Sequence, residues 1–308
     1  MRCITIVAAG LYWLIHAGPA FAVQGPPYCG GEGVWLQTLG GGGPEIDDRL
    51  GSASYLVWLD GAARLLVDPA PGSALRFDQS GARIEDLDAI AISHLHADHV
   101  NDLAAFIAGS TGSERERPLP VLGPDGNDEY PSTMGFVERL FAPSGLYPYL
   151  AETLTFRKGG YKVAPRDVPS TGQRRWAQFG TANLRLAAIP VHHGSAPALA
   201  WRVEIGDHSI TFGGDDSNQK NTLAGFAKGS SALVMHHAIA EGIRGELRGH
   251  FAEPSQIGRI AAEADVRMLI LGHRTNMTRG RETQSSELIR QHFSGPLIFA
   301  NDLECWGL

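Results

Sequence analysis

The sequence predicts an α/β protein in which sheets are flanked by helices, and three observations point there. The 308 residues are 43% hydrophobic and 19% charged, an ordinary globular composition with enough apolar material for a large core. Short apolar runs alternate with stretches of helical spacing along the chain. No repeat, low-complexity tail or Pro/Ser linker divides it, so a single domain over 23–308 accounts for the pattern better than two.

Residues 1–22 read as a removable export leader. Arg2 supplies a positive start, an apolar stretch follows, and Ala20-Phe21-Ala22 fits small-x-small cleavage. The stretch is about 16 residues, short of the ~20 that a spanning helix needs, so no stable membrane span is expected. Cleavage after Ala22 would make the mature protein periplasmic or secreted. Cys3 leaves with the leader, and Cys29 and Cys305 remain near opposite ends. In an oxidising compartment such an isolated pair is expected to form a disulfide.

Strands are expected at 33–40, 54–60 and 64–70, with Asp60-Gly61 as the hairpin turn between the last two. The run 88–99 is a short buried strand entering a histidine-rich loop, and 99–109 follows with Val100, Leu103, Ala104 and Ile107 on one helical face. A strand at 118–123 precedes a helix at 132–141 that Ser132 can cap. Residues 143–180 read as loop with short strands, either a substrate loop or a surface excursion. Strands recur at 184–191, 199–205, 208–213 and 231–236. A helix at 253–264, a strand at 266–272 and a helix at 282–292 follow, and LIFA (297–300) closes the chain.

The chemistry concentrates at the end of the fourth strand, where His94, His96, Asp98 and His99 put four metal-ligand types into six residues. Imidazole and carboxylate suit borderline divalent ions, zinc above all. The alternation lets His94 and His96 reach one ion while Asp98 and His99 serve another. Four titratable groups this close make a poor structural choice without a cation.

This HxHxDH run, with PVHHGSAPALAWRVE, FGGDDS and LILGHR in order behind it, resembles the metallo-β-lactamase fold. The spacing is similar to its ribonuclease Z-like branch, which includes phosphodiesterases, tRNA 3′-processing enzymes and arylsulfatase-type hydrolases. The likeness runs from 33 to 305. It implies a four-layer αβ/βα sandwich, two divalent metal ions, most naturally zinc, and a homodimer as a frequent assembly. It places His94, His96 and His193 on the first ion and Asp98, His99 and His273 on the second, with Asp215 between them. Of the adjacent pairs, His193 and Asp215 are taken as the ligands over His192 and Asp216. Two such ions can bring a shared water's pKa near neutrality and offset charge developing on an ester centre. Asp98 can also orient the nucleophilic hydroxide.

The leaving oxygen still needs a proton. The MHHA run sits where the branch carries His-Glu-Ala, which makes His236 the expected proton-handling or substrate-contacting residue. His237 stands where the family has a carboxylate. His250, in RGHFAEP, is left open between lining the pocket and lying exposed on its loop.

Substrate class is bounded by charge and length. The net charge is -7 and no long basic stripe occurs, which disfavours a long nucleic acid. Only 22 positions separate His193 from Asp215, too few for the arm with which tRNA-processing members grip their substrate. The expectation is an exported hydrolase of a small phosphodiester or aryl sulfate ester. Alternatives are a lactone, other carbon-ester or β-lactam hydrolase on the same metals, a ribonuclease Z-like endoribonuclease, or a non-catalytic metal-binding export protein.

Overall fold

The computed structural model describes residues 29–155, 160–172 and 177–308, so the leader expected over 1–22 lies outside them. In chain order come β1 (Val34–Gly40), β2 (Ser54–Leu59), β3 (Ala62–Val67), α1 (Ser73–Gln79), β4 (Ala89–Ala91), α2 (Ala97–Val100), α3 (Leu103–Gly109) and β5 (Leu119–Pro124). Next are α4 (Thr133–Phe141), a 3-10 turn at Pro148–Leu154, β6 (Val163–Val168), β7 (Ala177–Gly180), β8 (Leu184–His193), β9 (Ala196–Ile205), β10 (His208–Phe212) and α5 (Leu223–Phe226). The remainder is β11 (Ala232–His237), α6 (Pro254–Glu263), β12 (Leu269–Arg274), α7 (Glu282–Arg290), β13 (Leu297–Phe299) and β14 (Cys305–Gly307).

Among the described residues these strands make two seven-stranded sheets, ordered β14-β1-β2-β3-β4-β5-β6 and β13-β12-β11-β10-β9-β8-β7. Successive side chains on a strand face opposite ways, and here both faces are apolar. In β3, Leu65 fills the core between the sheets while Leu66 faces helices α1, α3 and α4. In β12, Ile270 points into that inner core while Leu269 and Leu271 meet α5, α6 and α7. The result is the four-layer αβ/βα sandwich.

The first hairpin turns at Asp60-Gly61, whose φ values of 50° and 75° match a turn with two left-handed positions. Ser132 caps α4, its hydroxyl accepting from Gly135 N at 3.1 Å. Two expectations change. The helix expected over 99–109 is split at Asp102, whose N–H donates to Pro69 O (3.0 Å) and whose carboxylate accepts from Ala74 N (2.9 Å). LIFA also does not close the chain, because β14 returns to pair antiparallel with β1, Trp35 opposite Gly307. Cys29 and Cys305 form a disulfide there, with Cα atoms 5.9 Å apart. No helix among the described residues is long and apolar enough to cross a membrane.

Strands β3 to β6 run parallel, as do β10 to β13, so the carboxyl ends of both parallel sets open on one edge of the sandwich. Two hydrogen bonds lace the sheets together at that edge. Trp201 Nε1 donates to Ile92 O at 2.9 Å, and Leu199 N donates to Ser93 O at 2.9 Å. Such edges are where α/β sheets place their sites.

Candidate metal centre

The fold brings seven expected residues to this edge from four separate segments. His94, His96, Asp98 and His99 lie beyond β4 or in α2, His193 ends β8, Asp215 follows β10, and His273 lies near the end of β12. His94, His96 and His193 form one group and Asp98, His99 and His273 another, with ligand atoms in each within 4.8 Å of one another. Asp215 stands between them. Its Oδ2 is 3.9 Å from His94 Nε2, 3.7 Å from His193 Nε2, 3.5 Å from His99 Nε2 and 3.3 Å from His273 Nε2.

A second ring of partners fixes which nitrogen faces inward. His99 Nδ1 donates to Asp68 Oδ2 at 2.9 Å. Ser93 donates its backbone N–H to Asp68 Oδ1 (2.6 Å) and its hydroxyl to Asp68 Oδ2 (2.7 Å), and Ser93 Oγ in turn accepts from His94 Nδ1 at 3.0 Å. One buried carboxylate thus orients two imidazoles, leaving His94 Nε2 and His99 Nε2 buried without a hydrogen-bond partner. His193 Nδ1 donates to His250 O at 3.0 Å, and His96 Nε2 lies 3.2 Å from Tyr130 OH. Asp68 and His273 both hold positive φ, 56° and 47°, in a region that non-glycine residues enter mainly where a site demands it.

The electrostatics ask for a cation. Burial works against charge on Asp98, yet the hydrogen bond with His273 and the neighbouring His99 bring it down to about 2. Asp215 is also disfavoured by burial, but His273, His99 and His193 hold it well below the carboxylate range. Burial, helped by His99 and His193, keeps His94 well below its ordinary value, and burial brings His193 to about 4. Burial works against charge on His99 and His273 too, but Asp215 holds His99 well above its ordinary value and raises His273. Ionised carboxylates and neutral imidazoles are the forms that bind metal, so a cation entering here would displace those protons. Unpartnered buried nitrogens aimed at a shared carboxylate oxygen fit a pair of divalent ions.

Comparison with known proteins agrees with this geometry. Residues 63–274 match the family model of the beta-lactamase superfamily domain. The chain belongs to that superfamily. It is a metallo-β-lactamase-fold hydrolase similar to ribonuclease Z. A ribonuclease Z of Metallosphaera sedula is 26% identical over 277 residues, covering 84% of this chain and 92% of the relative. Among solved structures, the metallo-β-lactamase fold protein YhfI of Bacillus subtilis superposes with TM-score 0.68 at 20% identity, covering 89% of this chain and 98% of that one. The short form of human tRNase Z gives TM-score 0.64 at 15% identity over 89% of this chain and 98% of its own.

Within this superfamily fold the other histidines separate cleanly. His192 turns away to Ser217 Oγ at 2.8 Å, and the Asp216 carboxylate accepts from Asn218 N and His192 N at 2.8 and 3.2 Å. His236 is 2% exposed, with Nδ1 3.2 Å from Gly214 O and Nε2 3.0 Å from Ala252 N and 3.3 Å from Ala252 O, so both ring nitrogens face backbone. His237 points the other way, to Ser285 Oγ at 2.8 Å and the Phe299 ring. His250 is the histidine at the mouth. Its ring stands 5.0 Å from that of His193, and Nδ1 donates to Glu246 O at 3.0 Å, leaving Nε2 over Gly194.

An open cleft of about 540 Å³ runs past Asp98, lined by Ile46, Arg49, Leu75 and Asn101 among others. Ile46 and Leu75 are exposed there. Asp68 and His250 are the two site residues that the sequence undervalues. The signal for Asp68 was a lone acid closing an apolar strand before proline; the signal for His250 was a histidine just ahead of a helix.

Proposed function

We propose that this chain is a metal-dependent phosphodiesterase of the ribonuclease Z kind. The observation that carries the proposal is the single carboxylate oxygen of Asp215 set between two triads of ligand-type side chains. In this reading His94, His96 and His193 would hold one divalent ion and Asp98, His99 and His273 the other, with Asp215 beside both groups and zinc the favoured metal. When bound, the pair supplies a nucleophilic water acidified to near neutrality and positive charge toward the developing oxyanion. Asp98 orients that water through its carboxylate. His250, with Nδ1 committed to Glu246, presents Nε2 to the leaving oxygen and holds the proton it needs. Arg49 and the exposed Ile46 and Leu75 line the cleft in which the substrate's flanking groups lie.

The relatives named ribonuclease Z favour RNA as the substrate over a small ester. One observation favours the small phosphodiester or aryl sulfate as a second reading. β8 passes to β9 through Gly194-Ser195, and only β9 and β10 lie between His193 and Asp215, so no arm projects there to grip a folded RNA. The export proposal is supported by the Cys29–Cys305 disulfide, since such bonds persist in oxidising compartments.

A substrate panel with zinc-loaded protein separates these readings. It comprises a precursor tRNA with a 3′ trailer, bis-p-nitrophenyl phosphate, p-nitrophenyl sulfate, a lactone and nitrocefin. Trailer removal supports the first reading, and turnover of the small phosphodiester or sulfate without RNA cleavage supports the second. Activity confined to the lactone or nitrocefin refutes both.

A further inference from the structure

His236 is buried at the end of β11, beside the centre but outside both ligand triads. Its two ring nitrogens reach segments distant in sequence. Nδ1 faces the Gly214 carbonyl at 3.2 Å, and Nε2 faces both backbone groups of Ala252, its N–H at 3.0 Å and its carbonyl at 3.3 Å. The shorter contact makes Nε2 the acceptor for that N–H, a donor shared with Asp216 O at 2.9 Å, and leaves the proton on Nδ1.

These two partners belong to the pieces that finish the centre. Gly214, at φ 62°, immediately precedes Asp215. Ala252 ends the three-residue segment 250–252, whose first member gives its carbonyl to His193 Nδ1. Between them the Phe251 ring lies 5.3 Å from His236, 5.3 Å from His193 and 5.6 Å from His273, one histidine from each triad.

We infer that His236 is a positioning residue, a cross-brace tying the Asp215 turn to segment 250–252. Through that segment it sets the ring plane of His193 and seats Phe251 across the two triads. The inference rests on the two-metal reading above. A purely packed ring would not need two directional bonds to backbone 22 and 16 positions away. An apolar residue of the same size would leave the Gly214 carbonyl without the imidazole donor.

The test is zinc affinity, read without substrate by titrating metal-free protein against a competing chelator. Wild type should take up two zinc ions; uptake of one or none defeats the two-metal reading itself. His236→Phe should weaken the ion held by His94, His96 and His193 about 10- to 100-fold, the usual loss when an outer partner of a ligand is removed. His236→Gln, which keeps an acceptor toward Ala252, should recover most of that affinity. On the leading substrate of the panel, kcat should fall in the Phe variant with no change in the shape of the pH–rate profile. Two zinc ions bound by His236→Phe at wild-type affinity overturn the inference. So does loss of one limb of the pH–rate profile with metal affinity intact, the mark of a proton donor. If His236→Phe does not fold, His236→Gln and His236→Ala replace it, and equal zinc affinities in that pair overturn it.

Discussion

Asp68→Asn isolates the buried carboxylate that orients two ligands at once. Asp68 Oδ1 accepts from Ser93 N at 2.6 Å, while Oδ2 accepts from Ser93 Oγ at 2.7 Å and His99 Nδ1 at 2.9 Å. Asparagine keeps one carbonyl oxygen for the backbone N–H but sets an amide NH2 against the other two donors. Hydrogen bonds to a charged group contribute about 1.5–3 kcal/mol each, so the two lost contacts bound the effect at about 3–6 kcal/mol. Rotation of the Ser93 hydroxyl and a change of His99 tautomer recover part of this. The expected outcome is zinc binding weakened about 10- to 100-fold at the ion held by Asp98, His99 and His273. A smaller loss is expected at the His94 ion, which Asp68 reaches only through Ser93. The assay is chelator competition on metal-free protein, with a thermal melt to confirm folding. Asp102→Asn is the control, because that carboxylate caps Ala74 N and touches no histidine ligand. Zinc affinity in Asp68→Asn within threefold of wild type would refute the reasoning.

Gly194→Ala should lower turnover at least about tenfold with both zinc ions retained. The new methyl would arrive 2.3 Å from His250 Nε2, and φ of 58° disfavours any side chain. Unchanged turnover would remove His250 from the reaction. His237 supplies a pH signature, because burial holds it at about 4. A folded value below the unfolded ~6.5 means the unfolded chain takes up this proton first, so stability is complete above that pH and is lost as pH falls toward 4. Between pH 7 and 5 this group accounts for about 2 kcal/mol of lost stability. His237→Gln, which keeps a partner for Ser285, should lose that much less over the interval by urea denaturation, and an identical loss would contradict the assignment.

The ligand set was legible because residue type and spacing carried it. His94 to His99 crowd into one loop, and the remaining ligands follow strands whose alternation is plain in the sequence. The proton donor proposed above, His250, was less legible. His236 sits one strand end away from the ligand cluster, yet β11 buries both of its faces and commits its ring to backbone. His250 lies on an irregular segment that only the fold brings over His193. Asp68 was hidden for a related reason, since its partners Ser93 and His99 are 25 and 31 positions on. Among the elements, α1 escaped notice because it follows Gly72 with no capping side chain, and β14 because three residues carry no period. The helix read over 99–109 failed at Asp102, where contacts with Pro69 and Ala74 outweigh the continuous apolar face.

Joining Cys29 to Cys305 turns the intervening backbone into a covalent ring spanning 276 positions. Chain-entropy arguments put the stabilisation from so long a closed loop at about 5 kcal/mol. A single peptide cleavage within the ring would therefore open it without releasing a fragment, and the two halves of the metal centre would stay on one molecule. Tension applied at the outer ends would load only Trp306 and Gly307 of β14 before passing through the sulfur bridge, so the rest of both sheets, and the centre between them, would be spared.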